Sequence, residues 1–186
     1  TGFQLWSETY DRPFDDVLRV QEDIARAVAR SLEVLLTRDS SQRLARRAGR
    51  NSAAYDAYLR GRAFWNERSV ASLPHAREQF ELAIARDPAD APSYVALAEL
   101  LAVLPLYGIE SPDVAFPKAR AAALRALELD DQLAEAYATL AVVRYQFEWD
   151  WPGAEADFRH AIALNPSYAT AHQWYAEFLS YAGRYE

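Results

Sequence analysis

The sequence predicts an all-α protein built as a solenoid of consecutive helical hairpins, and two sets of similar segments carry that prediction. In the first set, an aromatic or imidazole ring is followed by apolar and small residues at fixed spacing. Its members are Tyr94, Leu97, Ala98 and Leu101; Tyr137, Leu140, Ala141 and Arg144; and His172, Tyr175, Ala176 and Leu179, with a looser copy at Tyr58, Gly61 and Trp65. The second set alternates with the first: Ala76, Phe80, Ala83 and Pro88; Ala119, Ala123, Ala126 and Asp131; and Ala154, Phe158, Ala161 and Pro166. Because a hairpin buries its apolar stripe only against its neighbours, this repetition indicates a stack.

The composition is that of a folded globular protein. The chain has 186 residues, of which 51% are hydrophobic and 25% are charged, so we do not expect extended disorder. It contains no cysteine, which excludes disulfide bonds and thiolate metal sites and leaves the redox compartment undetermined. No segment resembles a signal peptide or an apolar run of membrane-spanning length. We favour a cytoplasmic location, with the periplasm left open if a membrane-spanning helix lies upstream in a longer parent protein.

The charge is divided unevenly along the chain. Residues 1–50 contain nine arginines and eight acidic residues, whereas the remainder contains eleven Lys plus Arg and nineteen acidic residues. Phosphate backbones and anionic lipid heads are bound mainly by Lys and Arg. The acidic remainder therefore disfavours nucleic acid as a partner.

The first 37 residues predict one β-strand followed by one long helix. Residues 3–10 alternate bulky and polar side chains, and a turn follows at residues 11–13. Beyond Asp15, a suitable N-cap, apolar residues recur at helical spacing: Val17, Val20, Ile24, Val28, Leu32 and Leu35. One strand and one helix cannot enclose a core, so we interpret residues 1–37 as the C-terminal βα remnant of a domain in a longer protein. An unpaired strand also invites pairing with a second copy, and we expect a homodimer or a docked N-terminal segment.

Residues 38–51 predict an arginine-rich linker with a short helix. Its arginines at positions 43, 46, 47 and 50 allow two interpretations, an anion-binding patch or a solvated helix face. We favour the solvated face, because arginine on a helix is usually exposed to water.

Residues 52–186 predict three complete hairpins and the first helix of a fourth, in units spanning 52–88, 91–131, 134–166 and 169–186. We expect helices over 52–67 and 72–86, over 92–104 and up to residue 129, over 133–147 and 151–164, and over 169–182. The steps from ring to ring along the first set are 36, 43 and 35 residues, against a usual period of about 34. The excess in the middle step lies in residues 105–112, and Pro117 then predicts a kinked or restarted helix.

The two interleaved sets resemble the consensus of the tetratricopeptide repeat (TPR) family over residues 52–186. The resemblance implies a right-handed superhelix whose concave face is lined by the first helix of each hairpin. It also implies that His172, at an aromatic consensus position, faces the core instead of binding a ligand.

Candidate partner-binding residues lie on the first helix of each hairpin, at positions that are not needed for packing between the helices. They are Asp56, Asn66, Glu67, Glu99, Glu135, Tyr145, Gln146, Gln173, Glu177 and Tyr181, together with Leu59, Ala63, Val95, Ala138 and Val142. The set is acidic and aromatic and contains no Lys or Arg. Family members that hold the C-terminal carboxylate of chaperone peptides use Lys, Asn and Arg here, whereas this chain has Leu59 and Ala63 where Lys and Asn are needed. We therefore expect a basic or apolar peptide, or a neighbouring domain, in place of a chaperone tail.

The N-terminal segment carries a second resemblance. Residues 5–12 (LWSETYDR) and 20–25 (VQEDIA) are similar to the final strand and helix of the TolB-N-like (FlgO-like) domain. In bacteria that domain often precedes such repeats in multidomain signalling proteins, which include class III adenylate cyclases, winged-helix regulators and serine/threonine kinases. The resemblance implies a regulatory or scaffolding arm of a larger protein.

No pattern indicates catalysis, a cofactor or a metal centre. His75, His160 and His172 lie on different predicted helices, and none stands in a His-Glu-x-x-His arrangement. The chain has neither a glycine-rich phosphate loop nor a GxSxG elbow. We expect no enzymatic activity, no cofactor and no metal.

The cluster of Tyr145, Phe147, Trp149 and Trp151 allows two interpretations, a ligand site that works by ring stacking or a wedge that closes one hairpin on the next. Two functions also stay open. The chain is either an interaction module that binds a peptide or neighbouring domain, or a small-molecule-sensing regulatory domain whose helices shift on binding.

Overall fold

The computed structural model describes Gln21 and residues 51–184. The predicted strand and helix of residues 1–37 and the predicted linker of residues 38–51 lie outside the described residues, except for Gln21, which is helical, and Asn51. The described part of the chain forms seven α-helices and one π-helical segment, without a strand. They are α1 (Ser52–Glu67), α2 (Ser72–Arg86), α3 (Ala91–Val103), α4 (Pro112–Leu129), α5 (Ala134–Val143), the π segment (Arg144–Glu148), α6 (Trp151–Leu164) and α7 (Ala169–Tyr181).

The prediction of stacked helical hairpins is confirmed. Helix α1 packs on α2, α3 on α4 and α5 on α6, and each second helix packs on the first helix of the next hairpin. The first helices also contact one another in series, α1 with α3, α3 with α5, and α5 with α7. This second set of contacts places α1, α3, α5 and α7 side by side. Their shared surface is called the inner wall below.

Local sequence explains where the helices begin. The Asn51 side-chain oxygen accepts hydrogen bonds from the backbone N–H groups of Ala53 and Ala54 at 3.0 and 3.4 Å, which caps α1. Prolines stand in the first turns of α3, α4 and α6, at positions 92, 112 and 152. They cost little there, because the first amides of a helix have no intrahelical partner.

Small residues let paired helices approach, and large rings fill the space between them. Ala98 and Ala141 are fully buried, as their places in the repeat predict. Gly61 lies so close to Phe80 that a Cβ atom there would be 2.5 Å from two ring carbons. Phe80 and Phe158 are themselves fully buried, and each contributes about 1.5–3 kcal/mol of hydrophobic stabilisation.

The restart predicted at Pro117 does not occur. Helix α4 runs unbroken from Pro112 to Leu129 with Pro117 inside it. Pro117 is exposed on the surface of the helix; it removes one backbone hydrogen bond and crowds the carbonyl one turn earlier. The excess residues of the middle step instead form the loop 104–111, which turns at Gly108 with φ of +66°.

The expectation that His172 faces the core is wrong, and Ala176 is also exposed. In earlier hairpins, a second helix covers the equivalent positions, but the described residues contain no second helix after α7. The ring of His172 instead places Nε2 2.9 Å from the carbonyl oxygen of Pro166.

The helix predicted over residues 133–147 is only partly α-helical. Helix α5 ends at Val143 and continues as the π segment over Arg144–Glu148. A π segment accommodates an extra residue inside an otherwise regular helix. This agrees with the ring-to-ring step of 35 residues from Tyr137 to His172, one more than the usual period of about 34.

Candidate functional site

Within the described residues, two pockets open on the inner wall, one near the start of the first helices and one near their end. The polar pocket, of about 490 Å³, is lined by Tyr58, Arg62, Pro92, Val95, Ala96, Glu99, Asp130, Gln132, Leu133, Ala134, Glu135, Leu164, Asn165 and Tyr168. The aromatic pocket, of about 470 Å³, is lined by Ala102, Val103, Leu106, Val142, Tyr145, Gln146, Trp149, Trp151, Trp174, Glu177 and Tyr181. Each pocket is built from at least three repeats, so each depends on how the hairpins stack.

The polar pocket is organised around the buried carboxylate of Glu99, which is 6% exposed. The Tyr168 hydroxyl donates to Oε1 of Glu99 at 2.5 Å, and the Arg62 guanidinium donates to Oε2 at 3.2 Å. Burial raises the pKa of Glu99 above its usual range, against the lowering effects of Tyr168 and Arg62, and the charge of Glu135 adds to the rise. Burial, followed by the charge of Glu99, also raises the pKa of the Tyr168 hydroxyl, which stays protonated at neutral pH. The network therefore uses its polar atoms to join three repeats.

The aromatic pocket has Tyr145 as its floor. The Tyr145 side chain is 4% exposed, and its ring centroid lies 6.0 Å from that of Trp151 and 6.2 Å from that of Tyr181. Its hydroxyl accepts a hydrogen bond from Nε2 of Gln146 at 2.7 Å. Burial, opposed by that bond and reinforced by the charge of Glu177, raises the pKa of Tyr145 to about 12. The floor is therefore a neutral ring at physiological pH.

The rim of the aromatic pocket is exposed and largely apolar. Trp149 is 73% exposed, Tyr181 is 65% exposed, and Leu106, from the loop 104–111, is 85% exposed. Glu177 is the charged member of the described lining, and its Oε1 lies 3.5 Å from the Tyr181 hydroxyl. A ligand in the aromatic pocket would therefore contact ring faces and one carboxylate.

The backbone at Trp149 is unusual. This residue follows the π segment with φ of +59°, a left-handed conformation that helix ends normally give to glycine or asparagine. Its N–H donates to the carbonyl of Arg144, as does the N–H of Asp150. The Arg144 guanidinium lies 2.7 Å from both Asp150 and Asp157. Contacts of the residues before and after Trp149 therefore stabilise its left-handed backbone conformation.

Gly153 completes this support. Its N–H donates to Oδ1 of Asp150 at 3.0 Å, which caps α6. A Cβ atom at position 153 would collide with Asp150 Oδ2 and Arg144 Nη1. Glycine at position 153 therefore leaves room for the Arg144–Asp150 ion pair, and a larger residue would have to displace these side-chain ends.

The structure divides the residues predicted to line the groove into three groups. Tyr145, Gln146, Glu177 and Tyr181 come together in the aromatic pocket, and Glu99 and Glu135 lie in the polar pocket. Asp56, Asn66, Glu67 and Gln173 lie on α1 and α7 outside both pockets, and Asp56 pairs with Arg60 at 2.8 Å. Within the polar group, Glu99 is not free to contact a partner, because both of its carboxylate oxygens already accept bonds.

Sequence reasoning missed several lining residues. Trp174 precedes Glu177 by three positions on α7, so the helical period could have placed it on the same face. Arg62 gives the inner wall a cation that the predicted set lacked. Tyr168 and Leu106 lie just before α7 and in the loop 104–111, where helical periodicity gives no signal.

The structure shows the wedge interpretation of the aromatic cluster for two of its rings, and the ligand-site interpretation stays a prediction. Phe147 packs on Phe116 with centroids 5.6 Å apart, and Trp151 packs on Phe178 at 5.4 Å, so these rings act as a wedge. Trp149 projects into solvent at the rim of the aromatic pocket.

Within the part of the chain that the structure describes, no group of three or more His, Cys, Asp or Glu residues is placed to hold a metal ion. No described helix combines the length and apolarity needed to cross a membrane.

No protein-family model matches the chain. Among solved structures, it is similar to the TPR2B domain of yeast Sti1 in its pHsp70 complex, with a TM-score of 0.56 and 24% identity over 70% of this chain and 99% of that one. It is also similar to the Arabidopsis OM64 TPR domain, with a TM-score of 0.54 and 23% identity over 69% of this chain and 95% of that one. The chain has the TPR fold.

Beyond this TPR fold, the chain resembles one curated bacterial protein, named "Putative adenylate cyclase 3", of Rhizobium meliloti (strain 1021). The two are 31% identical over 98 residues, which cover 53% of this chain and 17% of that protein. The similarity therefore spans less than a fifth of the relative's length.

Proposed function

We propose that this TPR array is a protein-interaction module of a larger bacterial signalling or regulatory protein, and that its inner wall binds a peptide segment or a neighbouring domain. The observation that carries the proposal is the open aromatic pocket, which exposes Trp149, Tyr181 and Leu106 on one surface. Contiguous exposed apolar groups of this kind mark interaction surfaces in folded proteins. Tryptophan and tyrosine are also enriched among the residues that dominate binding energy.

The charge of the wall favours a basic or apolar partner. Glu177 is the charged residue of the described aromatic lining, and Glu99, Glu135 and Asp130 line the polar pocket beside Arg62. Arg62 is already paired with Glu99. A peptide carboxylate would therefore meet a wall that is acidic on balance, which disfavours the capture of an anionic peptide end.

The bacterial context of the proposal comes from the partial similarity to the named cyclase of Rhizobium meliloti. It agrees with the similarity of residues 5–12 and 20–25 to a TolB-N-like domain. Both point to a regulatory arm, while the effector domain of the parent protein stays unassigned.

The experiment is a selection of random dodecapeptides displayed on phage against the 186-residue chain, followed by affinity measurement of the enriched peptides. We expect peptides whose binding is abolished by the double variant Glu177→Lys and Tyr181→Ala. Because Glu78 is an exposed residue of the second helix α2 and lies off the inner wall, Glu78→Lys is the matched control and should leave binding intact. Failure to enrich any peptide, or binding that ignores the wall variants, would exclude the proposal.

A second candidate function is a small-molecule-sensing regulatory domain of an adenylate cyclase, winged-helix regulator or kinase. The volume of the aromatic pocket, about 470 Å³, lies within the range of about 300–1,000 Å³ that small-molecule sites occupy. A metabolite library should then contain a compound that raises the melting temperature by binding the folded state. Loss of that shift in the Tyr181→Ala variant would support this alternative over the peptide groove.

A further inference from the structure

The aromatic pocket combines several ring faces with one negative charge. Trp149, Trp151, Trp174, Tyr145 and Tyr181 contribute rings, and Glu177 contributes a carboxylate. The face of an aromatic ring is electrostatically negative and attracts cations, most strongly at tryptophan. No basic residue is among the described lining of this pocket, so the attraction is not satisfied there by the protein's own side chains.

The position of the pocket among helix ends also bears on this preference. Ala102 and Val103 belong to the last turn of α3, Tyr145 belongs to the π segment that ends α5, and Glu177 and Tyr181 lie near the end of α7. Helix C-termini carry partial negative charge on their unpaired carbonyl groups. Trp151, the first residue of α6, also lines the pocket, and the N-terminus of that helix opposes the effect of the three C-terminal ends. The preference for a positively charged occupant therefore rests mainly on Glu177 and the ring faces.

The conformation of Trp149 is an independent indication of a binding role. A bulky side chain with φ of +59° is strained, and such outliers persist where the surrounding structure holds them for function. Burial does not explain the choice of tryptophan, because this side chain is 73% exposed. The ion pairs of Arg144 and the cap from Asp150 hold the residues next to Trp149, and the Trp149 ring lines the pocket.

The chain contains an internal example of the expected contact. Arg68 ends α1 with φ of +50°, and its guanidinium carbon lies 3.7 Å from the ring centroid of Trp65. Guanidinium is planar and less strongly hydrated than ammonium, so it stacks on rings and also forms forked bonds to carboxylates. The described lining of the aromatic pocket contains no arginine. The same stacking of a guanidinium on a tryptophan ring would therefore need an arginine from another segment.

We propose that the aromatic pocket binds the arginine side chain of a partner peptide, with its guanidinium between the rings of Trp149 and Tyr181 and paired with Glu177. This inference deepens the proposed function and rests on it. It names the residue type that the inner wall recognises. Two other occupants of the aromatic pocket compete with arginine: an apolar side chain of a partner, and a further helix of the repeat array. The test distinguishes these from arginine.

The test uses four labelled dodecapeptides of glycine and serine that differ only at three positions, which hold arginine, citrulline, lysine or leucine. Citrulline keeps the shape of arginine but removes its charge. Binding to the 186-residue chain is measured by fluorescence anisotropy at two salt concentrations. We expect the arginine peptide to bind most tightly and the citrulline peptide to bind about 2- to 30-fold more weakly, the range of one cation–ring contact.

Trp149→Gly separates binding from folding. Glycine adopts positive φ without strain, so the variant should keep or raise the melting temperature, by about 2–8 °C at most, while arginine-peptide binding falls by about 2- to 30-fold. Glu177→Gln should weaken binding in the same direction. Glu78→Gln, on α2 and off the inner wall, is the matched control and should change neither quantity.

Three results would overturn the inference. Equal binding of the citrulline and arginine peptides would remove the role of charge, and tighter binding of the leucine peptide would indicate an apolar occupant such as a further helix. Equal binding of lysine and arginine peptides, unaffected by Trp149→Gly, would indicate plain charge attraction. If phage selection yields wall-dependent peptides without arginine, the proposed function stands and this inference alone falls.

Discussion

The two pockets of the inner wall are built from the same succession of hairpins and enclose similar volumes, about 490 and 470 Å³, yet they are completed differently. In the polar pocket, the carboxylate of Glu99 is buried and both of its oxygens accept bonds from Tyr168 and Arg62. In the aromatic pocket, Trp149 and Tyr181 leave most of their surface in water. The comparison indicates that one end of the wall fixes the stacking of the repeats while the other end is available to a partner.

Energetics explain this division. A buried carboxylate without partners is strongly destabilising, so the polar pocket is favourable only when the repeats align and bring Tyr168 and Arg62 to Glu99. Exposed rings do not need such alignment, because apolar side chains are common on protein surfaces and destabilise the folded state only modestly. The polar network is therefore satisfied only in the correctly assembled stack, whereas the aromatic rim stays exposed and open to the proposed partner.

The largest expected effect comes from removing the ring beneath the aromatic pocket. Phe158 is fully buried, and its ring centroid lies 5.7 Å from that of Phe178 and 6.3 Å from that of Tyr145. Phe158→Ala should lower the free energy of unfolding by about 3–5 kcal/mol, enough to abolish cooperative thermal unfolding followed by circular dichroism. Leu124→Ala, at a partly exposed position of α4, serves as the control and should change little. An unaltered melting temperature for Phe158→Ala would show that Phe158 does not occupy a buried position of the repeat.

A smaller effect is expected in the polar pocket. Tyr168→Phe removes the hydroxyl that donates to Glu99 and leaves that buried oxygen without its donor. The free energy of unfolding should fall by about 1–3 kcal/mol, measured by urea denaturation. Peptide binding at the aromatic pocket should not change. Weaker peptide binding with unaltered stability would contradict the division between the two pockets.

Glu99→Gln tests the same network through its pH dependence. The folded state raises the pKa of Glu99, so this carboxyl favours folding in its protonated form. Its contribution is full below the ordinary pKa of about 4.3 and is lost as the pH rises through the higher folded value. The variant, which is neutral at every pH, should therefore gain stability over the parent as pH rises from about 4 to 7.

The measurement is the difference in melting temperature between Glu99→Gln and the parent at several pH values. Leu124→Ala, at a partly exposed position of α4, removes no titratable group and provides the comparison, so its difference from the parent should not vary with pH. A variant that is less stable than the parent at pH 7 would mean that the pairing with Arg62 and Tyr168 outweighs the burial of charge.

Helical periodicity predicted most of the fold, because each hairpin is specified by contacts between residues close in sequence. The bounds of α1 and α2 agree with prediction at both ends. The failures occur where local pattern competes with tertiary packing. Pro117 is accommodated on the exposed side of α4, and His172 is exposed because none of the described helices covers its position.

The candidate site was predictable only in part. The spacing of first helices placed Tyr145, Gln146, Glu177 and Tyr181 on the inner wall, where the structure brings them into one pocket. It gave no indication that Glu99 is occupied by Tyr168, a residue 69 positions away.

By itself, the sequence determined the hairpin repeat, the approach of helices at buried alanines and the acidic character of the array. These properties follow from 3.6-residue periodicity and from composition, which need no knowledge of distant contacts. Only the tertiary structure decided which wall residues are already paired and which are available. That outcome depends on the register between hairpins, and the register sets whether Glu99 is buried beside its partners and whether Trp149 faces open solvent.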